Sequence, residues 1–538
     1  MTKRSKKAGV TRRQALKTGA TAVALTSAIG IAPKYLISPA RAREGYAPGM
    51  TGGPTGFPGA ERYQYNEDMS EGRAIEGIKK LKAEGKAPDS LSMLLTAGAI
   101  GQFKKPFPEG APTVADVWEK ETGIKFEITG AGAEDIWTKI LQDVTTGAGT
   151  YDMFTQAWNS IGDLVNAGGA YNLDEFVAKY EPDWADPVRG APTAQIADLL
   201  YKYDGSYYTV SLDGDFQTWV YRTDLFNDPA EQAAYKDKFG TDLDHPRTWQ
   251  DVDNISAHFK RDGLNGHTNL LSPFWGLAIF YGRYVSKAKP NLYFFDDDGN
   301  PLLDSEQGIQ AAEEHVKSMQ WASRDALSWT WSEAYGSMAD LSSTMISTFT
   351  NIAKFNDRMN ADGTPATPLT GKLGSFLPPG TQFGDDLVRR SVIYYNINAE
   401  VSALSKYPEA AYLFLQWCSS TRTFSWMSGN PGGYFDPFQN ANFDDPLVIE
   451  TYHDYHVPII RETIKRSAPT INFAGQTAFD NALDEQLQAA LVGDISAEDA
   501  MKRAAKAWRK IIRKKGETKM VDAIRKSKAA WPTIIDKA

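Results

Sequence analysis

Aromatic, aspartate and asparagine side chains with a capacity for recognition stand at six places in this chain. They are Trp158-Asn159, Asp213-Gly214-Asp215, Trp275 within Ser272-Pro273-Phe274-Trp275-Gly276, and Trp329 and Trp331 on either side of Thr330. The last two are Tyr394-Tyr395 after Arg389-Arg390-Ser391, and Tyr434 after Gly432-Gly433. A flat ring stacks on the apolar C–H face of a polyhydroxylated molecule, and a carboxylate or carboxamide accepts or donates hydrogen bonds to its hydroxyls. Each group also has a structural reading: a tryptophan can be core, and Asp213 and Asp215 can serve the turn at Gly214. Asp213 and Asp215 are in addition the one pair worth assaying as the acid and base of a glycosidase, which needs two carboxylates flanking a single bond.

Other constellations carry less. Asp296-Asp297-Asp298-Gly299 hints at a calcium loop, but an EF-hand register with Gly299 at position six puts Phe294 where the first carboxylate must stand, so a turn is expected. His453 and His456 are spaced i, i+3 with no third ligand in view. Cys418 is the single cysteine, so internal disulfides, four-cysteine zinc sites and iron–sulfur clusters are excluded. It lies on an apolar helix face beside Trp417 and reads as core. Six scattered histidines and no phosphate-binding glycine loop argue against a redox enzyme, and no cofactor or metal is expected.

Charge is distributed unevenly. The net charge is −9, yet residues 1–42 hold nine basic side chains and no acid, leaving 49 basic against 67 acidic residues and a net −18 beyond them. An acidic body of that kind argues against nucleic acid as a partner. The leading segment reads as an address. Thr11-Arg12-Arg13-Gln14-Ala15-Leu16-Lys17 fits the twin-arginine export pattern, with Ala15 where a larger apolar residue is usual. An apolar run from Thr18 to Ala32 is too short to span a bilayer, and Ala40-Arg41-Ala42 offers a cleavage site. A twin-arginine signal peptide over 1–42 and a mature protein in the periplasm are expected. The basic stretch from Lys502 to Lys528 reads as a solvated helix face.

The elements that must position these groups follow an α/β rhythm. Residues 43–89 read as an extension, an arm rich in Gly and Pro and then a surface helix from Ser70 to Lys86. Leu91, Met93 and Leu95 alternate as a strand. Thr113 and Asp116 form a capping box for a helix ended by Gly123, and Ile124, Phe126 and Ile128 alternate again. A helix over 134–144 stops at Gly147, and a third strand covers 151–155. Such a succession predicts a parallel sheet with helices on its faces, and ligands collect at the carboxyl ends of its strands, where Gln156-Ala157-Trp158-Asn159 lies. Further on, Thr248, Ser305 and Ser496 are predicted helix caps.

Several segments, in order, resemble the family 1 extracellular solute-binding proteins, the group that includes maltose-binding protein. Val117-Trp118-Glu119-Lys120-Glu121-Thr122-Gly123-Ile124-Lys125-Phe126 is similar to its F-E-K-E-T-G-I-K-V entry, and Gly147 to Met153 to its S-G-x-x-Y-D-V. Leu164 to Asp174 resembles L-x-x-A-G-x-L-x-P-L-D, with Asn172 in place of proline. Tyr203 to Val210 resembles Y-D-G-K-x-Y-G-x-P, with Thr209 in place of glycine. Tyr221 to Phe226, Pro246 to Trp249 and Ser405 to Ala411 resemble Y-R-K-D-L-F, P-K-T-W and S-K-N-P-E-A-A.

The resemblance spans about residues 90 to 515. It implies a type II periplasmic-binding-protein fold, α/β in class, with two lobes joined by a hinge and a cleft between them. Lobe 1 is expected from 90–209 and 341–398, and lobe 2 from 210–340 and 399–538. It implies a monomeric binding protein, not an enzyme, that closes on a carbohydrate and delivers it to the membrane permease of an ABC importer. It places Asp213 and Asp215 where the chain crosses between lobes, Tyr394 at the return crossing and Tyr434 on the cleft wall. Trp158, Asn159, Asp213, Asp215, Trp275, Trp329, Trp331, Tyr394 and Tyr434 are the expected ligand contacts, and a periplasmic carbohydrate-active enzyme is the competing reading.

Overall fold

The structure is a computed structural model that describes residues 45–360 and 362–538; the twin-arginine motif and the cleavage site lie outside them. The strands that matter for the site are, in chain order, β1 (Ser90–Thr96), β2 (Lys125–Ala131), β3 (Met153–Ala157), β4 (Thr209–Ser211), β5 (Thr218–Arg222), β6 (Met345–Thr348), β7 (Leu373–Phe376), β8 (Ser391–Ile393), β9 (Ile397–Val401) and β10 (Ser467–Pro469). The helices used below are α1 (Ser70–Ala83), α2 (Val114–Thr122), α3 (Ala133–Thr146), α4 (Gly276–Val285), α5 (Trp331–Ala339), α6 (Pro408–Ser419), α7 (Thr421–Ser428), α8 (Gln476–Leu491), α9 (Ala497–Lys515) and α10 (Glu517–Ala529).

Local chemistry sets the first lobe's α/β units. Thr113 caps α2 with both bonds of a capping box, Asp116 N–H to Thr113 Oγ1 at 3.1 Å and Thr113 N–H to Asp116 Oδ2 at 2.9 Å. Gly123 and Gly147 end α2 and α3 at φ 65° and 67°, a conformation glycine adopts without a Cβ clash. The resulting sheet runs β2-β1-β3-β9-β4. The first three strands are parallel, and β9 enters antiparallel between β3 and β4, pairing Asn398 with both Gln156 and Ser211. Leu91, Met93 and Leu95 are buried, as their alternation predicts.

The second lobe centres on an antiparallel sheet β6-β5-β7, in which Val220 pairs with Ile346 and Ser375. Its aromatic filling includes Trp219, packed against Trp249 and Phe376. Three passages join the lobes. Residues 212–217 and 393–397 run side by side, tied by the Leu212 N–H to Ile397 C=O bond (3.1 Å) and a bridge between Phe216 and Ile393. The third passage leaves α7, which Gln102 anchors through a 2.6 Å bond from Nε2 to Met427 C=O, and reaches the helix Val457–Lys465 beside β5.

The division of the chain between lobes differs from the expected one. β6 and β7 pair with β5, so 345–376 belongs to the second lobe rather than the first. β9 belongs to the first sheet, and α6 packs along α1 and β9, so 397–428 belongs to the first lobe rather than the second. The physical reason is that strand partners, not chain neighbours, decide membership. The lobes trade segments at 212–217, at 393–397 and after 428, with no crossing at 341.

The 45–89 segment is built into the first lobe. The Tyr65 hydroxyl donates to Glu121 (2.5 Å) and accepts from Trp417 Nε1 (2.7 Å). Glu121 also accepts from Tyr46 Oη (3.2 Å) and the Gly53 N–H (2.6 Å). Cys418 is fully buried, as expected for a packed thiol. No helix of the described residues is long and apolar enough to cross a membrane.

Candidate functional site

The carboxyl ends of β1 and β3 point toward the second lobe, and the crossing segments lie beside them. At the crossing, Asp213 is fully buried. Its Oδ1 accepts from the Gly214 N–H (2.8 Å) and from the Asp436 N–H of the third passage (2.7 Å). The Thr350 hydroxyl donates to Gly214 C=O (3.2 Å) and to Asp436 Oδ2, and Tyr452 Oη donates to Asp436 Oδ1. A Cβ at Gly214 would stand 2.5 Å from Pro437 C=O, so glycine is the residue that lets the passages touch. Asp213 therefore fastens two crossing segments, and the Asp215 carboxyl shares hydrogen bonds with those of Asp213 and Asp436.

Carboxylate oxygens of Asp213, Asp215 and Asp436 lie within 4.8 Å of one another, and they are the described residues whose geometry could hold a cation. A cation already stands beside them: the buried Lys354 ammonium is 3.5 Å from Asp436 Oδ1 and donates to Phe435 C=O (2.8 Å). Burial first, and then the charges of Asp213 and Asp436, push Asp215 well above the usual carboxylate range. Burial and Asp436 do the same to Asp213. Burial also lowers Lys354, against the pull of the three aspartates. The cluster thus holds protons that free carboxylates would lose, and a partly protonated cluster can both donate to and accept from hydroxyls.

Rings of the second lobe and the crossing segments pack against one another, and Tyr434 and Tyr335 reach the cluster. Trp275 packs against Tyr395 (centroids 5.3 Å) and Phe349 (5.9 Å), and Phe274 against Tyr394 (5.5 Å). Trp331, at the start of α5, meets Tyr335 (5.4 Å) and Tyr434 (5.7 Å) edge-on. Tyr434 is held by Gln102, whose Oε1 accepts the Tyr434 and Phe435 N–H groups (2.8 and 3.1 Å). Burial raises the Tyr434 hydroxyl, reinforced by Tyr395 and by Asp215, Asp213 and Asp436, so ring and carboxylates share one compartment. Gly98, just past β1, lies so close to the Tyr434 ring that a Cβ would fall 2.8 Å from it.

A second polar group spans the lobes. Asn159 Nδ2 lies 3.4 Å from Asp480 Oδ2 on α8, and Tyr281 Oη of α4 donates to Asp480 Oδ1 (2.6 Å). Burial pushes Asp480 up to about 7. The Tyr394 hydroxyl is buried without a partner, and its proton is held by burial and by Asp480 and Asp484.

Among the residues singled out from the sequence, Asp213, Asp215, Trp331 and Tyr434 come together around the carboxylate cluster, and Trp275 joins through Tyr395. Asn159 and Tyr394 meet at Asp480. Trp158 turns its indole N–H into the first lobe, to Leu199 C=O at 2.5 Å. Trp329 packs with Leu271, Ala322 and Ala326. Sequence reasoning missed Asp436 and Lys354. The signal for Lys354 was a lone charge inside Ile352-Ala353-Lys354-Phe355; Asp436, before a proline, looks like a turn residue. His453 and His456 form no metal pair: His453 Nε2 faces Asp357 C=O (2.5 Å), while His456 faces Ser375 Oγ (2.8 Å) and Thr350 C=O (3.0 Å). Asp296 Oδ1 accepts from the Asp298 and Asn300 N–H groups (3.0 and 2.7 Å), the bonds of a turn.

A model of the bacterial extracellular solute-binding protein family matches residues 97–423, more than half the chain. No curated protein sequence matches the chain. Solved structures match in fold at low identity. An ABC transporter solute-binding protein from Agrobacterium radiobacter K84 in complex with ribitol is 18% identical with TM-score 0.64, covering 78% of this chain and 98% of its own. Maltose-bound MalE3 of T. maritima is 15% identical with TM-score 0.63, covering 78% and 99%. A solute-binding protein from Agrobacterium vitis S4 with bound D-mannitol is 19% identical with TM-score 0.61, covering 79% and 99%.

Proposed function

The chain belongs to the bacterial extracellular solute-binding protein family, and from that premise we propose that it captures a sugar, oligosaccharide or polyol for the membrane permease of an ABC importer. The observation that carries this reading is the packing of Trp331 on Tyr434 beside the buried carboxyl cluster of Asp213, Asp215 and Asp436 at the lobe crossing. Rings supply stacking faces, and buried carboxyl groups supply directional bonds to hydroxyls. Related proteins hold ribitol, maltose and D-mannitol, which share that chemistry.

Binding works by population shift. A ligand that touches both lobes only when they approach stabilises the approached form, and the permease reads that form as occupancy. In this reading the protein performs no reaction, acts as a monomer and works in the periplasm after twin-arginine export and cleavage near Ala42.

Titration calorimetry with ribitol, D-mannitol and maltose tests the proposal, with tryptophan emission as a second readout because Trp275 and Trp331 stand in the wall. Saturable binding to at least one is expected, weakened at least tenfold in Asp213→Asn, because hydrogen bonds to a charged or polarised group contribute about 1.5–3 kcal/mol. No response to a broad sugar and polyol panel, with saturable binding of a peptide or a metal ion, overturns it. Release of product from an aryl glycoside, abolished by Asp213→Asn, would establish the enzyme instead.

A further inference from the structure

The basic stretch at the end of the chain has no part in the cleft. Helix α9 buries Ala500, Met501, Ala504, Ala505, Trp508 and Ile512 against the second lobe. Opposite Trp508 it exposes Arg503, Lys506, Lys510, Arg513 and Lys514. At 3.6 residues per turn these five fall within an arc of about 100° and along roughly 16 Å of helix. Neighbouring cations are neutralised, Lys502 by Glu498 (2.6 Å), Arg509 by Asp304 (3.0 Å) and Lys515 by Asp163 (3.8 Å). The five enter no ion pair among the described residues. Asp499, at the N-terminal edge, shares their face, and Arg513 lines a cavity with Asp298, Glu517 and Asp522.

Like charges held side by side repel, and the rest of the chain is strongly acidic, so composition does not explain the strip. A protein partner is usually anchored by a buried aromatic or aliphatic side chain at the centre of the contact. Among the described residues the exposed large apolar side chains are Val188, Met359, Tyr407, Val492 and Ile534, none of them on this face. A continuous anionic surface needs no such anchor, because clustered lysine and arginine suffice. Beyond a Debye length of about 8–10 Å the acidic remainder of the protein is screened from that surface.

We propose that the exposed face of α9 rests on the anionic phospholipid headgroups of a membrane, holding the protein at the bilayer surface without inserting. Sedimentation of the mature chain, residues 43–538, with phosphatidylcholine vesicles containing 30% phosphatidylglycerol tests this. Binding is expected at low salt, with loss on raising NaCl and no binding to pure phosphatidylcholine. A cation near such a surface contributes about fivefold to partitioning, so the combined Arg503→Gln, Lys506→Gln, Lys510→Gln, Arg513→Gln and Lys514→Gln variant should bind at least about tenfold more weakly.

A control with Lys79, Lys80, Lys125, Lys236 and Lys406 made glutamine should bind like the native protein, and thermal unfolding confirms that both variants fold. Equal binding to neutral vesicles, an unaffected five-site variant, an equal loss in the control, or capture by soluble heparin with no vesicle binding would each overturn the proposal.

Discussion

Glu400 sits in β9, the strand that enters between β3 and β4, and is fully buried. Among the groups around it, the Gln156 carboxamide hydrogen-bonds to it. Burial drives the carboxyl well above its usual range, and the nearby Gln156 carboxamide only draws it back a little. The native protein therefore keeps a proton that the unfolded chain releases above its ordinary carboxyl value of 4.5. The sign follows from proton counts: the folded state binds more protons, so this contribution to stability is full in acid and declines as pH rises. The decline is about 1.4 kcal/mol per pH unit until the buried group ionises. Glu400→Gln keeps the shape and removes the proton. Relative to the native protein, the variant should gain stability from pH 5 to pH 7, by up to about 1.4 kcal/mol per pH unit. Urea unfolding followed by tryptophan emission at pH 5, 6 and 7 measures that difference. If the gap between variant and native is the same at all three pH values, the burial argument is wrong.

His456→Gln should lessen acid sensitivity: burial lowers His456 to about 4, so the native state refuses a proton that the unfolded chain accepts below its ordinary value of 6.5. The native protein loses about 1.4 kcal/mol per unit as pH falls through that window, and thermal scans at pH 7 and 4.5 should show the variant losing less. Tyr65→Phe removes one donor from Glu121 and strands the Trp417 N–H, which should cost about 2 kcal/mol in chemical unfolding. Gly214→Ala forces a methyl against Pro437 C=O; a destabilisation of about 1–3 kcal/mol is expected in calorimetry, together with weaker ligand binding as the passages separate.

How much of this was legible in the sequence depends on the range of the signal. Thr113, Thr248 and Ser496 are predicted caps, and each accepts from the backbone N–H three residues further on. Ser160 precedes a helix but makes no side-chain cap, because a short 3-10 turn from Trp158 already leads into that helix. The lobe boundaries were not legible: whether Met345–Thr348 pairs with β5 depends on contacts more than a hundred residues away, which no local pattern encodes. At the site, motif order led to Asp213 and Tyr434, but it could not show that Asp213 spends one oxygen on backbone N–H groups. Nor could it reveal Lys354, whose companions become visible only once three passages meet.

The placement of β9 also dictates an order of assembly. The strand that completes the first sheet lies at 397–401, whereas β3 and β4, which flank it, are finished by residue 211. On a ribosome adding about 5–20 residues per second, both neighbours wait on the order of ten seconds or more with an open edge. An open strand edge is a template for pairing with other chains, so the newborn protein passes through an interval of vulnerability. The sheet's second-last strand is made late, and a chain released before residue 401 could not close its first lobe at all.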